Sequence, residues 1–167
     1  IEVTGADFLF YGGNLVHQLI MMGHKGLAFH LAEELRPYKV AAVSITPGFL
    51  RSESMLEHFG VTDANWRDGG KKDTHFLHSE SPLLVGRACV ALARDPGVMQ
   101  WSGHITSSWE VAKHFGLTDY DGHDPDWGRN WHDVVREMKW VREGTERQLA
   151  WLDRLSTRMR GYLSGSS

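Results

Sequence analysis

Thr4, His17 and Met21 are the residues whose types and spacing point to chemistry in this chain. His17 and Met21 are four residues apart, so they sit one turn from each other on a helix. Imidazole has an ordinary pKa of about 6.5, so His17 can give or take a proton at neutral pH without a neighbouring cation to tune it. The Thr4 hydroxyl can orient that imidazole or hold a substrate oxygen. Met21 adds a polarisable apolar wall. Lys25 lies two turns beyond His17, roughly 12 Å along the axis, too far for a direct part in the reaction. Together these residues favour an apolar substrate, handled by proton transfer at His17 or by shape alone.

Three elements must position this group. Ile1–Thr4 reads as a β-strand. From Asn14 to Arg36, Leu15, Leu19, Met22, Leu27, Leu31 and Leu35 recur at helical spacing, with Asn14 as N-cap and Arg36-Pro37 as the stop. Gly23 and Gly26 weaken that helix but allow another helix to approach closely. Val40–Ile45 is a small apolar run with β-branched residues, the pattern of a strand covered on both faces, and Thr46-Pro47-Gly48 follows it. Residues 49–80 are irregular. Ser81-Pro82 opens a helix running to about Ala93. Ser102–Ser107 reads as a short strand, and Trp109–Phe115 as a short helix.

The Thr at one strand end, the loop ending Tyr11-Gly-Gly-Asn14, the long helix and the next strand ending Thr46-Pro47-Gly48 resemble the second half of a short-chain dehydrogenase/reductase (SDR). In that family a Tyr-x-x-x-Lys pair occupies the helix; here His17 and Met21 stand in those places. The resemblance covers about residues 1–128. It implies an α/β fold, a partial doubly wound Rossmann-like parallel sheet with flanking helices. It places a substrate-covering loop between Phe49 and Glu80, and an aromatic pocket drawn from Tyr11, Phe49, Met55, Phe59, Trp66, Trp101 and Trp109. If a nicotinamide binds, the family element falls on Pro47, Gly48, Leu50 and Ser52, with the Leu50 backbone at the carboxamide and Ser52 at a phosphate. No G-x-G-x-x-G occurs in the chain, so NAD(P) enters only if an N-terminal half supplies the phosphate site; otherwise no cofactor is expected.

Residues 129–167 read as an amphipathic helical extension. Val134, Met138, Val141, Leu149, Leu152, Leu155 and Met159 form its stripe, and Gly144 marks a break. The stripe is expected to dock on its own domain or on a symmetry mate. Its polar face carries both charge signs, which argues against a membrane-surface helix.

Composition narrows the classes further. A net charge of −3 gives no footprint for nucleic acid, no apolar run is long enough to span a membrane, and Cys89 is the only cysteine. A cytoplasmic protein with no nucleic-acid or membrane partner is expected, and Cys89 as a buried small residue. His75-Phe-Leu-His78 lacks a carboxylate motif and reads as a surface loop, so no metal site is assigned. Asp119-Tyr-Asp121-Gly-His-Asp124 lacks the calcium-loop pattern and reads as a solvated turn.

An open edge on the first strand calls for cover by an N-terminal half, a partner chain or the added helix. The glycines of the long helix suit a homodimer, with hetero-assembly to a second SDR-like chain as the alternative. Three functions stay open: a cofactor-independent isomerase, lyase or cyclase; an NAD(P)-dependent oxidoreductase; and a non-catalytic binding or scaffold subunit.

Overall fold

The computed structural model describes residues 1–5 and 14–164, the side chains of residues 140 and 141 excepted. Three short parallel strands, β1 (Glu2–Val3), β2 (Ser44–Thr46) and β3 (Ile105–Ser107), form a sheet in the order β1-β2-β3. Glu2 pairs with Ser44, and Ser44 with Ile105. Helix α1 (Leu15–Leu35) connects β1 to β2, and α3 (Pro82–Arg94) precedes β3. This is the expected α/β class, a partial Rossmann-like parallel sheet flanked by helices.

The central strand explains the layering. Ser44, Ile45 and Thr46 are all buried. Val43 and Ile45 pack with Ala88 and Leu92 of α3 and Val111 of α4 (Ser108–Phe115), joined by Cys89, Trp101 and Phe115. Ser44 also donates from its hydroxyl to Glu2 Oε2 (2.7 Å), tying β1 to β2 through side chains. Helix starts follow their caps: Asn14 Oδ1 accepts the His17 N–H (2.9 Å), and Ser81 Oγ accepts from Leu83 with Pro82 at the first turn.

Several boundaries differ from the sequence reading. The second strand is confined to Ser44–Thr46, and Val40 is exposed, because the sheet covers only the end of the apolar run. Residues 49–80 are not structureless: they hold α2 (Glu53–Phe59) and two 3-10 segments, Asp63–Lys71 and Thr74–His78. In α1, Lys25, Ala28 and Ala32 are buried, whereas Leu15, Leu19, Leu27 and Leu31 are exposed. Ala28 and Ala32 let α1 approach the sheet; Leu27, Leu31 and Leu35 border a crevice against β1 and the run leading into β2, and Leu15 and Leu19 face solvent.

The C-terminal extension is two helices, α5 (Trp127–Glu137) and α6 (Lys139–Ser164). The break falls at Met138, whose backbone is extended (φ −96°, ψ 91°), and not at Gly144, which is buried within the continuous α6. A shallow cavity between α1 and α6 is lined by Met22, Gly144, Arg147, Gln148 and Trp151. No described helix is long and apolar enough to cross a membrane.

Candidate active site at the strand ends

The Pro47-Gly48 turn leaves β2 and packs directly beneath α5. A Cβ on Gly48 would lie 2.6 Å from Cβ of Trp127 and 3.3 Å from Oε2 of Glu80, so only glycine permits this contact. Beyond the turn, Arg51 N–H donates to Glu80 O (2.7 Å) and Glu80 N–H to Phe49 O (2.9 Å). This parallel bridge uses the backbones of Phe49 and Arg51 and leaves the Leu50 peptide N–H unspent on it. The Ser52 hydroxyl caps α2 by accepting from Met55 N–H (3.3 Å).

Between this turn and α5 lies a cavity of about 530 Å³. Phe49, Leu50, Met55, Trp127, Trp131 and Met138 give it apolar walls, and Asp73 and His75 bring polar groups to its rim. Such a site, mostly apolar with few polar groups, suits a small apolar ligand. His75 is buried, with Nδ1 3.1 Å from Asn130 Oδ1 and Nε2 3.2 Å from Glu137 Oε2. Burial pulls its pKa down, but these two acceptors and the charges of Asp73 and Glu137 outweigh it and raise it. Both ring nitrogens donate only in the imidazolium, so His75 clamps α5 to the 3-10 segment best when charged.

A buried ionic group holds the turn from behind. Arg51 and Asp119 are both fully buried and pair at 3.1 Å; Arg51 Nη1 also donates to Ser79 O (2.6 Å). Asp119 accepts from Ser81 N–H (2.8 Å) and Tyr120 N–H (2.8 Å). Trp66 lies under Arg51, 3.9 Å from its guanidinium, and donates its indole N–H to Asp121 (3.1 Å). The turn Asp119–Asp124 is therefore an anchor and not a solvated loop, because Arg51 requires a buried counter-charge. Glu80 is fully buried and accepts from Ser108 Oγ (2.7 Å) and from the Gly48 N–H. Burial pushes its pKa up to about 7, against the lowering effect of those two hydrogen bonds.

Of the expected pocket residues, Phe49 and Met55 line the cavity. Phe59 and Trp66 lie behind it in an aromatic core with Phe76, where Phe59 and Phe76 stack at 4.1 Å. Trp101 belongs to the separate core beside β2, and Trp109 is buried beneath Gly128. Tyr11, with Gly12 and Gly13, lies outside the described residues. Trp127, Trp131 and His75 were not foreseen as walls. The aromatic spacing Trp127 to Trp131, one helical turn, was the available signal. The His75–His78 segment is a 3-10 turn in which His75 and Phe76 are buried and His78 is exposed, so the surface-loop expectation fails for His75. Among the described residues no group of three or more His, Cys, Asp or Glu is placed to hold a metal.

The neighbouring strand end is built differently. Thr4 N–H donates to Ile45 O (2.8 Å), and Thr4 is buried with its hydroxyl unpartnered among the described residues. His17 is exposed in the first turn of α1. Met21 is half-buried, with its sulfur 3.1 Å from where a Cβ on Gly5 would stand.

A parallel sheet with chemistry-bearing groups gathered at the carboxyl ends of adjacent strands defines a Rossmann-like α/β protein. No protein-family model matches the chain. It is 37% identical over 97 residues to mouse (Mus musculus) dehydrogenase/reductase SDR family member 1, and 36% over 98 residues to the human (Homo sapiens) protein. Each match covers 58% of this chain and 31% of the relative. A crystal structure of a short chain dehydrogenase from Mycobacterium thermoresistibile superposes with a TM-score of 0.52 at 18% identity, over 75% of this chain and 42% of that one. The chain is thus similar to short-chain dehydrogenase/reductase proteins in sequence and in fold, and it corresponds to less than half the length of each of these proteins.

Proposed function

We propose that this chain forms the substrate side of a nicotinamide-dependent oxidoreductase acting on an apolar carbonyl compound or alcohol. The observation that carries this reading is the buried, unpartnered Thr4 hydroxyl one strand away from the Thr46-Pro47-Gly48 turn. An orphaned buried hydroxyl is costly, and a substrate oxygen would satisfy it. The residues fit a nicotinamide: the Leu50 N–H is free of the Glu80 bridge to meet a carboxamide, and Ser52 can still donate its hydroxyl proton. When bound, the cofactor supplies the hydride. Phe49, Met55, Trp127 and Trp131 hold the apolar body of the substrate and exclude water, and His17 serves as the proton donor in place of the family tyrosine. The dehydrogenase/reductase names of the curated relatives support the same reading.

A second reading, a cofactor-independent isomerase, lyase or cyclase, is favoured by one observation: Met21 puts a thioether where the family holds a lysine. That wall welcomes an apolar ligand and not a ribose. Calorimetric titration with NADH and NADPH separates the two, followed by coenzyme oxidation assays over apolar ketones and aldehydes. Saturable heat and carbonyl-dependent oxidation are expected, with the oxidation, but not the coenzyme heat, lost in Thr4→Val. Absence of heat with either coenzyme from the chain joined to a dinucleotide-binding N-terminal half removes the redox reading and leaves the second.

A further inference from the structure

Most of helix α6 presents an apolar face to solvent. Leu149, Trp151, Leu155, Met159, Tyr162 and Leu163 are 40–87% exposed. At about 100° per residue they fall, with the half-buried Leu152, on a single arc of about 160°, interrupted only by Gln148 and Ser156. The charges are sorted around that arc. Arg147, Arg154 and Arg158 border its Trp151 edge, and Arg160 borders its Leu149 edge. Asp153 lies beside Arg160 at that second edge, and Ala150, Thr157 and Gly161 occupy the far side. From Arg147 to Ser164 four arginines stand against one aspartate, a net +3 in a chain whose total is −3.

We propose that α6 docks this protein on an anionic lipid surface. The sorting of charge and aromatic residues argues for that occupant. Arginines at both edges of an apolar arc can bury their stems and keep the guanidinium at the phosphate level, and Trp and Tyr favour the same depth. The Arg158 guanidinium donates to the Tyr162 hydroxyl (3.2 Å), pairing the two groups at one edge. An antiparallel second copy is a poorer occupant, since it sets the Arg147, Arg154 and Arg158 edge against the same edge of its mate. Two of the three acidic residues of the helix, Glu143 and Glu146, belong to its first part, where Lys139 pairs with Glu143 at 3.6 Å, and Asp153 alone belongs to the second. Peripheral docking of this kind requires no spanning helix and would bring the protein to apolar molecules dissolved in the lipid.

The test is co-sedimentation of the chain with phosphatidylcholine vesicles, with and without phosphatidylserine. Binding is expected only with phosphatidylserine and should weaken as salt is raised. Neutralising arginines one at a time, as Arg154→Gln, Arg158→Gln and Arg160→Gln, should weaken it by about fivefold each. Met159→Ser with Leu163→Ser should abolish it, and Arg94→Gln on α3 should leave it unchanged. Circular dichroism confirms that each variant is folded. Lack of binding to anionic vesicles, or equal binding to neutral ones, overturns the proposal. So does self-association that disappears in the Met159→Ser, Leu163→Ser variant while no vesicle binding is seen; that result assigns the face to a second copy.

Discussion

The carboxyl ends of β1 and β2 are neighbours in one sheet, yet they are built in opposite ways. At the end of β2, Gly48 is pinned between Trp127 and Glu80, and the chain beyond it is bridged to Glu80 and held by the Arg51–Asp119 pair. At the end of β1, a buried hydroxyl lacks a partner among the described residues, His17 faces solvent and Met21 is half-buried. The closed end is a wall whose shape is set before any ligand arrives. The other end has hydrogen-bonding capacity that the described residues leave unspent, which is where a ligand gains most. Pre-organisation and unmet polar demand are thus divided between two adjacent strands.

Removing one partner of the buried pair should break the closed end most severely. Asp119→Ala leaves Arg51 charged and buried, and should cost about 3–5 kcal/mol in thermal or urea unfolding. A loss under about 1 kcal/mol would mean that the pair is effectively solvated and does not hold the turn. Next in size is Glu80. Its folded pKa, about 7, lies above the ordinary 4.5, so its native site prefers the protonated form. Stability should therefore fall as pH rises from 4.5 to about 7, by at most about 3 kcal/mol, and level off above that. Glu80→Gln should flatten this part of the profile. His75 acts in the same direction at higher pH: its raised pKa gives stability that is full below 6.5 and lost as pH climbs through the folded value. An unchanged slope in Glu80→Gln would assign the whole dependence to His75.

Gly48→Ala should come third. Its new methyl meets the Trp127 side chain, so overpacking of about 1–3 kcal/mol is expected, together with weaker binding of apolar probes in the cavity. Tolerance without loss of binding would show that α5 can move away from the turn. The smallest stability effects belong to the β1 end. His17→Gln should change stability by under about 0.5 kcal/mol, and Thr4→Val, which removes the orphaned hydroxyl, should raise it by about 1 kcal/mol. Their effects should appear in turnover, where His17→Gln loses about 10²–10⁴-fold if it is the working acid or base. A flat pH–rate profile with full turnover in that variant would remove His17 from the chemistry and sharpen the contrast into one between a ligand wall and an inert strand end.

Local elements were readable without coordinates because local rules govern them. Asn14, Ser81 and Pro82 announce their helices through side-chain geometry contained within one turn, and the ordered succession of strand, helix and Pro-Gly strand end pointed to the SDR fold. The apolar stripe of α1 was also visible, but its direction was not: periodicity shows that a helix has two faces, and only packing shows that Lys25, Ala28 and Ala32 take the inner one. The site divides in the same way. Phe49 and Met55 follow the Pro-Gly turn closely enough to be placed by sequence. Trp127 and Trp131 reach the cavity on helix α5, which begins 79 residues after Gly48, and His75 does so from the 3-10 segment clamped to it. Arg51 finds Asp119 across 68 residues and Glu80 finds Ser108 across 28, and neither spacing has a period. Sequence alone thus determined the class of fold and where α1, α3 and α4 begin, to within a residue, since those depend on neighbours along the chain. Which charges are buried, which aromatic residues are walls and which face of α6 is left to solvent were decided by tertiary structure, because burial depends on neighbours in space.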